Sequence, residues 1–165
     1  MHIYNEAIGS KQGVAKIYPN LNGNRGGATM VEIKNLKLSG TDVNMQALDQ
    51  FVSSNRILKI RLLKVDVEGW ELKVLQGGNR LLSTTDAPII CIEYSERHPI
   101  QNDNLVGIYY FLLNINKYKV YKLKKGKDVI SKLIEVKNYE NLPHHDNIFC
   151  FLPTHLNNVD SDIFL

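Results

Sequence analysis

A β-prone run in the middle of the chain, followed at once by a break and a helical segment, most constrains the fold. The run is Leu62–Val67, nearly continuous in apolar residues as in a strand covered on both faces. Gly69 ends it, and Trp70–Leu82 carries leucines at helical spacing. We expect Gly77 and Gly78 to weaken that helix or end it early, at about 1 kcal/mol each relative to Ala. The segment therefore predicts a strand, a turn and a helix.

Further strands and helices are expected on both sides of this unit, with an Asn- and Gly-rich loop between the first two strands. They are strands at Val14–Tyr18 and Thr29–Ile33, a helix at Met45–Ser53, a second buried strand at Ile89–Ile92, a helix at Leu105–Ile115, and strands at Lys119–Leu123 and Ile148–Leu152. Alternating strands and helices indicate an α/β fold with right-handed crossovers. We expect one domain over residues 1–165, a partial doubly wound, Rossmann-like sheet, mostly parallel with an antiparallel strand near the C-terminal edge.

Composition and charge exclude several classes of protein. Hydrophobic residues make up 44% and charged residues 22% of the chain, as in an ordinary soluble globular domain. The net charge of +3 is too small to indicate a nucleic-acid partner, and the apolar runs are too short to span a membrane. The lysines within Lys117–Lys127 alternate with apolar residues, which favours a solvated hairpin over an anion-binding patch. Cys91 and Cys150 lie in apolar runs, so we expect buried free thiols and a cytoplasmic protein.

Carboxylates follow both of the buried strands. Asp66 and Glu68 end the first strand, two residues apart and therefore on one face, and Glu93 ends the second. Open α/β sheets bind ligands outside the carboxyl ends of their strands. If the two strands are neighbours, the three carboxylates converge, and such a cluster requires a cation, a proton or a hydroxyl-bearing ligand. Acids can also serve only to cap the next helix; we favour that role for Glu71, and for Glu93 the two roles stay equally supported.

Several segments, in the right order, resemble the FkbM family of S-adenosylmethionine-dependent methyltransferases. The central one runs from Leu63 to Gly77 and contains the sequence Lys-Val-Asp-Val-Glu-Gly, which is similar to the hallmark segment of the family. The flanking matches are Asn5–Gly9, Leu48-Asp49, Pro88–Glu93 and Asn147–Pro153. The resemblance covers nearly the whole chain, and it is the order of the set, more than any one motif, that makes it specific.

The resemblance implies methyl transfer from S-adenosylmethionine to an oxygen of a sugar, a polyketide or a related hydroxylated metabolite. Carried over by position, Asp66 and Glu68 face the methyl sulfonium and the acceptor, and Glu93 lies on the adjacent strand end. A carboxylate within hydrogen-bond reach can orient the acceptor hydroxyl or accept its proton. Trp70 departs from the family pattern, in which a small residue follows the glycine, so we expect it to narrow or cover the acceptor site.

The resemblance also implies that part of the family's fold lies outside this sequence. Methyltransferases of this fold have a Gly-rich loop after the first strand, and no strand, Gly-rich loop and helix occur in that order here. No cofactor-binding residue is therefore assigned. We expect the strand that begins at Leu62 to have an open edge, and S-adenosylmethionine binding to require an upstream segment or a second chain that supplies the missing half.

Three other functions are compatible with the same residues. The chain could be a non-catalytic fragment or interaction module that pairs through the open sheet edge. The three acids could bind Mg²⁺, although no phosphate-cradling loop accompanies them. His144-His145-Asp146 could suggest a metal site, but adjacent residues in a predicted loop favour solvent exposure. We expect no metal ligand.

Overall fold

The protein consists of two β-sheets and five α-helices, as seen in a computed structural model that describes residues 1–19, 27–32, 38–96, 103–126 and 128–165, with the backbone alone for 103–105. The elements are β1 (Ala7–Gly9), β2 (Gly13–Ile17), β3 (Thr41–Ala47), α1 (Leu48–Ser54), β4 (Leu62–Val65), α2 (Glu71–Gly77), α3 (Asn79–Leu82), β5 (Ile89–Ser95), α4 (Asp103–Asn116), β6 (Lys119–Leu123), β7 (Leu133–Glu135), β8 (His145–Phe151) and α5 (Pro153–Leu156).

The N-terminal sheet has the order β1-β3-β2, with β1 parallel and β2 antiparallel to β3. The sequence predicts a helix from Met45, but Met45–Ala47 belongs to β3 and the helix begins at Leu48. Two neighbouring strands pair with this segment, and that pairing outweighs its weak helical pattern. Of the predicted strand Thr29–Ile33, Thr29 forms a single bridge with Tyr18, and Ile33 lies outside the described residues, as does the Asn- and Gly-rich loop at 20–26.

The main sheet has the order β4-β5-β8-β6-β7. The prediction that it is mostly parallel is wrong for the pairing: β4 and β5 are parallel, but β5–β8, β8–β6 and β6–β7 are antiparallel. The reason is that β8, the last strand, runs back between β5 and β6, so these two strands share a direction without being hydrogen-bonded to each other. The sequence did not predict β7, a short strand on the far edge of this sheet.

Within the part of the chain that the structure describes, β4 lies at an open edge of the main sheet, with β5 as its neighbour on the other side. The prediction that it is covered on both faces is wrong, because Leu62 is 59% exposed and Val65 is its one buried residue. Ile89 donates its backbone N–H to the Arg61 carbonyl, and alternate residues of a strand direct their backbone groups to opposite sides. Leu62 and Lys64 therefore direct theirs to the outer edge, as the resemblance implied.

The core lies on the face of the sheet that packs against α2, α3 and α4. Val65, Ile90 and Ile148 of the sheet pack there with Leu75 and Leu112 of the helices. Part of the other face is covered by the C-terminal residues that follow β8, around a smaller cluster. The predicted helix Trp70–Leu82 ends early, as its glycines predict, and continues as the short α3. No helix of the described residues is long and apolar enough to cross a membrane.

Candidate functional site

The three carboxylates expected to converge do lie together. One oxygen atom each of Asp66, Glu68 and Glu93 lies within 4.8 Å of the other two. Asp66 is exposed, whereas Glu68 and Glu93 are half-buried. They meet because β4 and β5 are parallel neighbours. The loop after β4 and the end of β5 therefore lie together at the carboxyl ends of the two strands. We call these three residues the acidic rim.

The loop after β4 brings Asp66 and Glu68 to the rim for a different reason from the one expected. The strand ends at Val65, so the two acids are not on one strand face. Instead, Glu68 and Gly69 adopt left-handed backbone conformations with φ of 51° and 97°. The hydroxyl of Thr29 donates to the Glu68 carbonyl oxygen at 2.6 Å, which ties this turn to the N-terminal part of the chain. A non-glycine residue at positive φ is a strained position of the kind found at functional sites.

Glu71 also stabilises this loop. It is the first residue of α2, where sequence reasoning placed it as a capping acid, and it is 4% exposed. Its Oε1 accepts the backbone N–H groups of Val67 at 3.2 Å and Gly69 at 3.1 Å. The carboxylate therefore satisfies the amides of the turn that carries the acidic rim, and hydrogen bonds to a charged acceptor are stronger than neutral ones.

Lys64 connects the acidic rim to β8. Its Nζ lies 3.0 Å from Asp66 Oδ2 and 3.1 Å from Asn147 Oδ1. Asn147 is paired directly with Glu93 across the β5–β8 ladder, so its side chain lies on the same face. Sequence reasoning missed Asn147 and Lys64 as members of the site, because their approach depends on the long-range insertion of β8 beside β5.

Two histidines at the start of β8 flank the site. His145, predicted to lie in a loop, is the first residue of the strand and pairs with Ser95, its Nδ1 2.9 Å from the Ser95 Oγ. His144 Nδ1 lies 2.7 Å from Glu96 Oε2. Asp146, also predicted to be exposed, is buried. His145 and Asp146 are successive residues of β8 and face opposite sides of the sheet, so the three residues do not form one ligand set.

The acidic rim is also the set of oxygen atoms that could hold a cation among the described residues. Carboxylate oxygens are the ligands of Mg²⁺ and Ca²⁺, but exposed acids often cluster without a metal, so we assign none. Trp70, which was expected to narrow or cover the acceptor site, has its indole nitrogen near Gly9 of β1. This nitrogen is buried and has no hydrogen-bond partner among the described residues. A Cβ added at Gly9 would lie 3.1 Å from it.

Cys91 lies on β5 near the charges of Lys64 and Asp66. Partial burial raises the pKa of its thiol; the nearby Lys64 ammonium opposes this and the Asp66 carboxylate adds to it. Cys91 is paired in register with Lys64 on β4, one step before the rim. We therefore expect the reactivity of this thiol to change when the charge of Lys64 or Asp66 is removed.

The protein is a mixed α/β structure in which acidic side chains gather at the carboxyl ends of two neighbouring parallel strands. The class becomes more specific by comparison with known families. The chain belongs to the family described as the methyltransferase FkbM domain, which matches residues 3–123. This range contains all three acids of the rim and ends at β6, so it does not include β8. Comparison with curated proteins and with solved structures gave no match.

Proposed function

We propose that the protein takes part in S-adenosylmethionine-dependent methyl transfer to a hydroxyl oxygen of a sugar or another hydroxylated metabolite. The observation that carries the proposal is the acidic rim: three carboxylates meet at the carboxyl ends of two parallel strands in a chain of a methyltransferase family. Open α/β sheets bind ligands at the carboxyl ends of their strands, where this rim lies. The family suggests a partial doubly wound, Rossmann-like sheet.

The charge of the acidic rim fits this cofactor. When bound, S-adenosylmethionine supplies a methyl group on a positively charged sulfur, and carboxylates complement a positive charge. Asp66 and Glu68 would face this group from the loop after β4, and Glu93 from the end of β5. We assign no residue to the adenosine part of the cofactor.

The carboxylates would also bind the acceptor. An acceptor hydroxyl has to lose its proton as its oxygen is methylated, and a carboxylate within hydrogen-bond reach can orient that hydroxyl or accept the proton. Lys64 keeps Asp66 directed toward the other two acids, since its ammonium bridges Asp66 and Asn147. The remaining contribution would be alignment of the methyl carbon with the acceptor oxygen.

The experiment compares two double variants with the same change in charge. Asp66→Asn/Glu68→Gln removes two charges from the acidic rim, and Asp162→Asn/Glu140→Gln removes two charges from exposed residues elsewhere. Transfer of a labelled methyl group to a panel of sugars and other hydroxylated acceptors is measured with the strands that complete the cofactor site present. We expect the rate of methyl transfer to fall about 10²- to 10⁴-fold in the rim variant and to be unchanged in the control. An unchanged rate in the rim variant would contradict the assignment.

The open edge of β4 supports a second part of the proposal. The outward backbone groups of Leu62 and Lys64 can pair with further strands, and we propose that these strands, from another segment or a second chain, complete the cofactor site. Isothermal titration tests this. We expect no micromolar binding of S-adenosylmethionine by residues 1–165 alone and binding once the completing segment is added. Micromolar binding by these residues alone contradicts it.

The same edge favours a second candidate function, a non-catalytic interaction module. Under that hypothesis strand pairing is the whole function and the acidic rim is dispensable. Leu62→Pro removes an outward N–H without disturbing the pairing with β5, since Pro is tolerated at the outer side of an edge strand. Loss of partner binding in Leu62→Pro, with no methyl transfer in any assay and no effect of the rim variant, would favour the module.

The cysteines support a reducing compartment, such as the cytoplasm. Cys150 is paired with Ile90 and shares its sheet face, so Cys91 on the neighbouring position faces the opposite side. The two thiols are free and cannot bridge each other without breaking the ladder. Free thiols are usual in reducing compartments.

A further inference from the structure

The strand pair that carries Glu93 continues one step beyond the acidic rim. The β5–β8 ladder pairs Glu93 with Asn147 and then Ser95 with His145. Directly opposed residues have their side chains on one face, and residues two apart along a strand share a face, about 7 Å apart. The imidazole of His145 therefore lies on the face of Glu93, as its diagonal neighbour, within reach of a long side chain.

Ser95 fixes the orientation of this imidazole. Its hydroxyl oxygen lies 2.9 Å from His145 Nδ1, and Ser95 is 2% exposed, so the pair is held inside the sheet end. In the tautomer that carries its proton on Nδ1, the ring donates to the Ser95 oxygen and has its lone pair on Nε2, where it takes up a proton. The preceding residue is different: His144 lies outside β8, its side chain is 92% exposed, and it pairs with Glu96.

We propose that His145 takes up the proton that the acceptor hydroxyl loses, with Ser95 as its positioning residue. The inference rests on the proposed methyl transfer, and it concerns β8, which lies beyond the matched residues 3–123. As the acceptor oxygen bonds to the methyl carbon, the carbon–sulfur bond breaks and its electron pair stays on sulfur. The hydroxyl proton passes to His145 Nε2, and the acidic rim orients the hydroxyl.

The proton affinities of the two kinds of group favour His145 as the proton acceptor and the acidic rim as the group that orients the hydroxyl. Proton acceptors work best when their affinity for a proton matches the working pH, which suits an imidazole better than a carboxylate at neutral pH. Among the described residues, the charged groups on this part of the sheet include Glu93 from β5, Asp66 and Glu68 from the loop after β4, and Lys64 from β4. The carboxylates of this set favour an imidazolium nearby.

The first test measures the coupling of His145 to the acidic rim by NMR titration of the histidine rings, without cofactor or acceptor. We expect Glu93→Gln to lower the midpoint of the His145 titration by about half a pH unit or more, because a nearby opposite charge is lost. The matched control is Glu96→Gln, which removes the carboxylate that contacts His144 and should leave the His145 midpoint in place. A His145 midpoint that Glu93→Gln does not move overturns the proposal.

The second test uses the protein in a state that transfers methyl groups. We expect His145→Gln to lower kcat at least about 10²-fold and to remove the acid limb of the pH–rate profile, whereas His144→Gln retains both. An active wild type whose His145→Gln variant keeps its rate and its acid limb refutes the role of His145 and leaves the proposed function standing. If the wild type transfers no methyl group at all, the proposed function fails, and the titration alone decides whether His145 is coupled to the rim.

Discussion

The Glu71 carboxylate lies 3.1 Å from the backbone nitrogen of Gly69 and holds the turn that carries Asp66 and Glu68. Replacing Glu71 by Ala leaves this N–H and that of Val67 without their acceptor, so we expect a loss of about 1–3 kcal/mol in the free energy of unfolding. Glu71→Gln keeps one acceptor oxygen and should lose less. Urea unfolding measures both, with exposed Glu140→Ala as the control. Equal midpoints for Glu71→Ala and the control would contradict the role.

Gly77 allows α2 to approach the N-terminal sheet. A Cβ at Gly77 would lie 1.9 Å from the Gly9 carbonyl oxygen, so the backbone has to move. We expect Gly77→Ala to destabilise the protein by about 2 kcal/mol or more, despite the better helix propensity of Ala, which is worth about 1 kcal/mol. At Gly78 the nearest atom is the flexible end of the Leu48 side chain, at 2.7 Å. Gly78→Ala is thus the matched control, and urea midpoints that fall equally would show that the contact with Gly9 is unimportant.

The reactivity of Cys91 should report the charges of the site. Its pKa is raised by burial and by Asp66 and lowered by Lys64, so the thiolate fraction at neutral pH is small. We expect Asp66→Asn to speed alkylation by iodoacetamide and Lys64→Gln to slow it. Asp162→Asn, distant in sequence and exposed, serves as the control. Cys150, fully buried, should stay unmodified in the folded protein. The same direction of change for both site variants would mean that Cys91 responds to unfolding instead of charge.

The sequence predicted the acidic rim because its two strands are local and parallel. Apolar runs marked β4 and β5, and acids at the carboxyl ends of adjacent parallel strands have to meet. Lys119–Leu123 was also predicted with the bounds that β6 has, since alternation of Lys with apolar residues is a strong signal for a half-exposed strand.

Features that depend on distant parts of the chain could not be predicted in the same way. The polar segment Thr41–Ala47 is a strand because two other strands pair with it, and no local pattern marks it. Asn147 and His145 reach the site only because β8 returns beside β5. The turn in which Glu68 has a positive φ is held by one hydrogen bond from the Thr29 hydroxyl and by the acceptor that Glu71 supplies. Neither contact can be read from residue spacing.

His155 should make the stability of the protein depend on pH below neutrality. Burial lowers the pKa of its imidazole from the usual value of 6.5, and its Nδ1 accepts the Leu152 N–H at 3.0 Å, which requires the unprotonated ring. The native state then binds fewer protons than the unfolded chain. The contribution of His155 is therefore fully present above about pH 6.5 and is lost as the pH falls from there through the folded-state pKa.

The measurement is the free energy of unfolding from urea titrations at pH 7.5 and at about pH 5.5. We expect His155→Asn, which can keep an acceptor near the Nδ1 position, to reduce the loss of stability between the two pH values. His2→Asn is the control, since His2 is exposed near the N-terminus. A pH dependence unchanged by His155→Asn would show that the proton is taken up elsewhere, because only a group with different proton affinity in the folded and unfolded states can produce the slope.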